Sequence, residues 1–109
     1  MLIQRGEVWW VDFDPSLGGE IQKLRPAVVI SNDVSNKVMN RVQVVPVTSQ
    51  VDKCFPCEAY IMVNGKSGKA MADQLTTASK QRLKQKMGKI SYQELFAIEQ
   101  AIKLQLHLS

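Results

Sequence analysis

Histidine is nearly absent from this 109-residue chain, and that one shortage removes several chemistries. The single histidine, His107, stands near the end of the sequence. No pair of imidazoles is available as general acid and base, and no histidine–carboxylate cluster suited to a metal can be assembled. His107 reads instead as a solvated helix-end residue, favourable there when charged. Cysteine is also scarce: Cys54-Phe55-Pro56-Cys57 is half of a zinc site with no second half, and reads as two ordinary thiols in a loop entering a strand. No glycines form a phosphate-cradling loop with lysine or a dinucleotide fingerprint. No apolar run approaches the length needed to cross a bilayer, and the chain enters a strand pattern within a few residues of Met1, leaving no room for a cleavable leader. The expectation is one domain over 1–109, cytoplasmic, with no membrane contact and no metal or other cofactor.

Positive charge is in excess. A net charge of +4 favours a polyanionic partner, because neutralising phosphates releases condensed counterions. Lys80, Arg82, Lys84, Lys86 and Lys89 follow one another with no intervening acid, which fits an RNA-backbone stripe or a solvated face.

The period of the apolar residues predicts strands for most of the chain. From Glu7 to Phe13, Trp9, Val11 and Phe13 share one face while Val8 and Trp10 share the other, as in a strand covered on both sides. Pro26 to Ile30 is a continuous apolar run, hence a core strand. Val42 to Thr48 is a third strand in which Pro46 cannot donate to a ladder, implying an edge or a bulge two residues before Thr48. Glu58 to Val63 alternates with Ala59, Ile61 and Val63 inward, and Asn64-Gly65 with Ser67-Gly68 supplies a turn into a strand from Lys69 to Leu75. The period then changes. Ser91 and Glu94 form a capping-box signature ahead of an uninterrupted helix from Tyr92 to Leu108. Leu95, Ile98, Ile102 and Leu106 line one side of it, and Ala97, Ala101, Leu104 and Leu108 the other, so a second surface is expected to cover the second stripe: a further copy or a protein partner. The predicted class is mainly β with a C-terminal helix, the strands curled into a small barrel.

Candidate chemistry sits around the long connection from Asp14 to Leu24, which includes Leu17, Glu20 and Lys23 and delivers the chain to Arg25. Pro26 biases Arg25 to an extended conformation at the mouth of a strand. Spacing alone leaves two readings, a strand-start arginine paired with a surface carboxylate or a phosphate ligand, and the first is the commoner. Thr48 ends its strand, where a hydroxyl commonly satisfies a local backbone group.

Taken in order, Arg5-Gly6-Glu7-Val8-Trp9-Trp10-Val11-Asp12-Phe13-Asp14-Pro15, then Gly19-Glu20, then Arg25-Pro26-Ala27-Val28-Val29-Ile30-Ser31 resemble the opening of the MazF/PemK toxins. The resemblance runs on through Pro46-Val47-Thr48-Ser49-Gln50 and Ala72-Asp73-Gln74 into the terminal helix, nearly the whole chain. It implies a homodimer of SH3-like barrels, the toxin of a type II toxin–antitoxin system, which cuts single-stranded RNA at short sequences and so stops translation and growth. It also implies a cognate antitoxin, an acidic and partly disordered peptide, with contact to DNA only through that antitoxin. The family's catalytic arginine falls on Arg25, its threonine on Thr48 and a loop glutamate on Glu20. Leu17, Lys23, Asp73, Gln74, Thr76 and Arg82 fall among residues facing RNA. Cys54 and Cys57 match no motif of the family.

Cleavage without a metal is most simply attack by the ribose 2′-hydroxyl on its own phosphate, leaving a 2′,3′-cyclic phosphate and a 5′-hydroxyl. A guanidinium stays protonated, so Arg25 suits charge stabilisation better than base catalysis, and Glu20 is the available base. A toxin of related fold that poisons DNA gyrase, or an RNA-binding module without catalysis, would share the fold, which alone decides nothing.

Overall fold

A computed structural model describes residues 2–15, 18–20 and 23–109. Three strands form its centre: β1 (Glu7–Asp12), β2 (Leu24–Val29) and β3 (Arg41–Thr48), each antiparallel to the next. The alternation in their sequences divides the interior in two. Trp9, Val11 and Phe13 join Ala27, Val29, Val42 and Val44 in one buried cluster, and Val8 joins Val28, Val45 and Val47 in the other. Burial on both faces is what holds these strands central, since each enclosed valine contributes roughly 1.5 kcal/mol or more. Strands β4 (Glu58–Val63), β5 (Lys66–Met71), β6 (Thr76–Ser79) and β7 (Leu83–Lys89) complete a curled sheet of order β4-β5-β3-β2-β1-β7, with β6 also on β3.

Pro46 is fully buried in the central strand β3, paired with Ala27, rather than at an edge. Its missing N–H is accommodated by a break in the neighbour instead. On that flank β3 pairs with β6 through Val44 and with β5 from Val47 onward. Between the two, Ala72–Gln74 leave the ladder as a 3₁₀ turn, so the proline faces a gap where no amide is needed. The strand expected to continue to Leu75 therefore stops at Met71.

The β4–β5 hairpin turns on Asn64 and Gly65 alone, both with positive φ (52° and 76°), as a two-residue turn requires. Ser67 and Gly68, expected in the turn, lie within β5. On β4, Ala59, Ile61 and Val63 are buried while Tyr60 and Met62 are exposed, as their alternation predicts.

Helix α2 (Tyr92–Leu106) carries the predicted capping box: Ser91 accepts from the Glu94 amide, and Glu94 accepts from that of Ser91. Glu94 also accepts from Met62 N–H. Burial pushes its carboxyl up, but these donors outweigh it and hold it below its ordinary value. Ile98 is fully buried and Leu95 and Ile102 pack beside it, whereas Leu106 is exposed. Of the second stripe, Ala101 is buried with Ile98, and Ala97, Leu104 and Leu108 are exposed. A short helix, α1 (Asp33–Val38), capped by Asn32, joins β2 to β3; six residues are too few to reveal a helical period in sequence. Among the described residues no helix is long and apolar enough to cross a membrane.

Candidate active site

The β2–β3 ladder brings the two leading candidates together. Val29, Val28 and Ala27 face Val44, Val45 and Pro46, and just beyond the last of these pairs stand Arg25, held by Val11 of β1, and Thr48, held by Lys69 of β5. Both line one pocket of about 290 Å³ at the end of these strands. Its lining is largely apolar, with Val8, Trp10, Val47, Ile61, Val63 and Met87, and includes the polar side chains of Ser49, Lys66 and Ser67 beside Arg25 and Thr48. The Thr48 hydroxyl accepts from Gln50 N–H at 3.2 Å, the local backbone bond expected for it. That bond uses an acceptor lone pair and leaves the hydroxyl proton to be donated outward.

Gly68 closes one wall because it has no side chain. A Cβ there would stand 2.8 Å from Val47 Cγ1 and 3.2 Å from the Thr48 carbonyl oxygen. Gly68→Ala is expected to cost about 1–2 kcal/mol of stability and to displace Thr48. Urea denaturation and the cleavage rate, measured on one preparation, should both worsen; an unchanged denaturation midpoint would mean the wall can yield.

A second groove, of about 420 Å³, gathers other predicted residues: Glu20, Asp73, Gln74, Thr76 and Arg82, over Phe13 and Ala78. The turn opposite Pro46 supplies Asp73 and Gln74, and Gln74 Nε2 donates to Gly19 O at 3.4 Å. Arg82 fixes the base of the long connection, donating to the carbonyls of Asp12 at 2.8 Å and Asp14 at 2.5 Å. Lys23, at φ 67°, secures the other side: its N–H donates to Asp14 Oδ1 and its carbonyl accepts from Phe13 N–H. Leu17 lies outside the described residues. Glu20 therefore lines a different groove from Arg25 and Thr48.

Several cations of the run Lys80, Arg82, Lys84, Lys86 and Lys89 are tied to neighbouring groups of the fold. Besides Arg82, Lys84 donates to Gln81 O at 3.0 Å and Lys86 pairs with Glu7 at 2.9 Å. The cation at the Arg25–Thr48 pocket is instead Lys66, unnoticed in the sequence because it follows a hairpin turn. Trp10 was legible only as a strand residue, and its place in the pocket depends on β1 lying against Pro26.

Behind β5, Lys69 is buried and pairs with Glu58 at 3.0 Å, while also donating to the Lys53 carbonyl. Burial lowers its tendency to hold a proton, but the Glu58 bond and charge outweigh that and raise its pKa. Through these contacts it holds the loop that follows Thr48. Cys54 and Cys57 are both free thiols. Burial, then the negative charges of Asp73 and Glu58, push the Cys57 thiol up, away from the thiolate that a reactive cysteine needs. Among the described residues no three His, Cys, Asp or Glu side chains are grouped to hold a metal ion.

The family of PemK-like, MazF-like toxins of type II toxin–antitoxin systems matches residues 4–106. Endoribonuclease MazF9 of Mycobacterium tuberculosis is 37% identical over 116 aligned positions, covering 98% of each chain. The crystal structure of MazF from Deinococcus radiodurans is similar with a TM-score of 0.89 and 25% identity, over 99% of both chains. A mycobacterial endoribonuclease solved in complex with its cognate antitoxin has the same fold, with a TM-score of 0.82 and 21% identity over 98% of this chain and 97% of that one.

Proposed function

This chain belongs to the PemK-like, MazF-like toxins of type II toxin–antitoxin systems, and we propose that it cuts single-stranded RNA without a metal, through Arg25 and Thr48. The observation that carries this reading is the cross-strand placement of those two residues at one pocket. The RNA supplies its own nucleophile. Its 2′-hydroxyl attacks the adjacent phosphorus, the bond to the 5′-oxygen breaks, and that oxygen leaves with a proton, giving a 2′,3′-cyclic phosphate and a 5′-hydroxyl. The Arg25 guanidinium can donate two parallel N–H bonds to the non-bridging oxygens as their charge grows. Thr48 donates its hydroxyl proton to the same phosphate and fixes its orientation.

Incubating the purified protein with labelled RNA in excess EDTA tests this: cleavage with 2′,3′-cyclic ends is expected. Intact RNA across varied sequences, or products with 3′-hydroxyl ends, would sink the proposal.

The base is assigned to Glu20. Because it lines the neighbouring groove, it reaches the 2′-hydroxyl only when its loop closes over bound RNA. Glu20→Gln is expected to keep RNA affinity and lower the single-turnover rate, by about 10²-fold or more for a general base. An unchanged rate removes Glu20 from the mechanism.

Lys66, which lines the same pocket, is assigned to a flanking phosphate. Lys66→Ala should weaken binding of a non-cleavable DNA analogue alike for all sequences, and reduce the slope of log affinity against log salt by about 0.7. A slope equal to that of the unaltered protein would place Lys66 off the RNA path.

Leu17, Lys23, Asp73, Gln74, Thr76 and Arg82 are assigned to the RNA path as well. The exposed Ala97, Leu104 and Leu108 of α2 favour a homodimer or an antitoxin contact, and the net positive charge favours an acidic antitoxin segment. Messenger RNA in the cytoplasm is the expected target, with growth arrest as its consequence.

A further inference from the structure

We propose that Trp10 is a stacking platform that holds one base of the RNA next to the scissile phosphate, an assignment that rests on the endoribonuclease reading above. Phosphate binding accounts for the polar residues that line the Arg25–Thr48 pocket but not for the apolar ones. In-line attack by a 2′-hydroxyl requires the strand to be splayed at the cut, which removes a base from its neighbour's stack, and an aromatic face can replace what is lost. Trp10 is the aromatic residue of this pocket and stays partly exposed. It is held stiffly, because β1 is paired on both flanks there, with Pro26 on one side and Gln85 on the other. Its neighbour Trp9 is unlike it: only 6% exposed, with its indole N–H donated to Glu7 at 3.0 Å. The pocket, about 290 Å³, is at the small end of ligand sites, which suits one base and no duplex. Every base has a stacking face, so Trp10 supplies affinity and alignment, and leaves base identity to the groove of Asp73 and Gln74.

The two tryptophans of the chain give the proposal a direct signal. The probe is an RNA oligonucleotide cut by the unaltered protein, together with the same strand carrying 2′-deoxyribose at the cut. Binding of the deoxy strand is expected to quench tryptophan fluorescence, and the quenching is expected to vanish in Trp10→Phe. Trp10→Leu should raise the Kd for the deoxy strand about tenfold, by a similar factor at cut sites of different sequence, and Trp10→Phe should restore most of the affinity. Undiminished quenching in Trp10→Phe overturns the proposal, as does a Trp10→Leu protein of unchanged melting temperature that binds within twofold of the original. A changed set of cut sites in Trp10→Phe also overturns it, since the platform would then be reading bases. If Trp10→Leu fails to fold, the fluorescence of Trp10→Phe decides. The endoribonuclease reading fails separately, when the unaltered protein leaves the all-ribose strand intact.

Discussion

Replacing Arg25 with alanine is expected to slow RNA cleavage by about a hundredfold or more, the scale on which removal of one preorganised donor to a developing charge is felt. The size of the effect follows from where Arg25 stands. Pairing with Val11 of β1 fixes its backbone, and Pro26 beside it restricts its conformation, so little reorganisation is needed when the phosphorane forms. Binding should suffer less than the rate, because much of a polyanion's affinity comes from phosphates along the strand that other cations meet. Arg25→Lys should fall between the two, since an ammonium supplies charge without the planar fork. Single-turnover cleavage of RNA and the Kd for a 2′-deoxy analogue separate the contributions. Cleavage by Arg25→Ala within tenfold of the original would show that another group stabilises the transition state.

The largest stability effect is expected at Glu7, which is only 2% exposed. Its Oε1 accepts from Gln4 N–H at 2.9 Å and Trp9 Nε1–H at 3.0 Å, and its Oε2 pairs with Lys86 at 2.9 Å. Glu7→Leu strands the Gln4 and Trp9 donors where water reaches poorly, which should cost about 3 kcal/mol, or on the order of 10 °C in melting temperature. Glu7→Gln keeps an oxygen for those donors and gives up the Lys86 pair, whose lysine is half exposed, so about 1 kcal/mol is expected. Burial alone would push the Glu7 carboxyl up. Its hydrogen bond from Gln4, with those from Lys86 and Trp9, more than reverses this and holds it below the ordinary glutamate value of 4.5. The stabilisation is therefore complete above about pH 4.5 and is lost as pH falls through the lower folded-state value. Thermal melts of both variants from pH 7 to pH 3 check the sign, and a Glu7→Gln deficit that grows on acidification would contradict it.

Glu7 also marks what sequence conceals. An acid at the start of a strand looks solvated, and only the fold shows that β7 brings Lys86 over it while its own chain turns Gln4 back to it. The central strands were readable because the two-residue period and the burial agree, so that Trp9 and Val8 could be assigned to opposite faces before any partner was known. Pro46 was readable as an irregularity, but not its resolution, since the interruption in the facing strands lies far along the chain, at Ala72–Gln74. Arg25 and Thr48 could be selected by their likeness to a family. Their meeting at one pocket depends on the β2–β3 offset, which no local pattern in either segment contains. The run of cations could not be divided by sequence into those held by the fold, as Arg82, Lys84 and Lys86 are, and the rest.

The interruption opposite Pro46 has a bearing on how such a cutter could be retargeted. Because β5 and β6 are each in register with β3, the ends of the Ala72–Gln74 turn are pinned independently of what its side chains do. The turn behaves as a replaceable cassette on a fixed frame. On the proposed assignment of Asp73 and Gln74 to the RNA path, libraries confined to those two positions are expected to change the sequence preference and leave the Arg25–Thr48 pocket as it is.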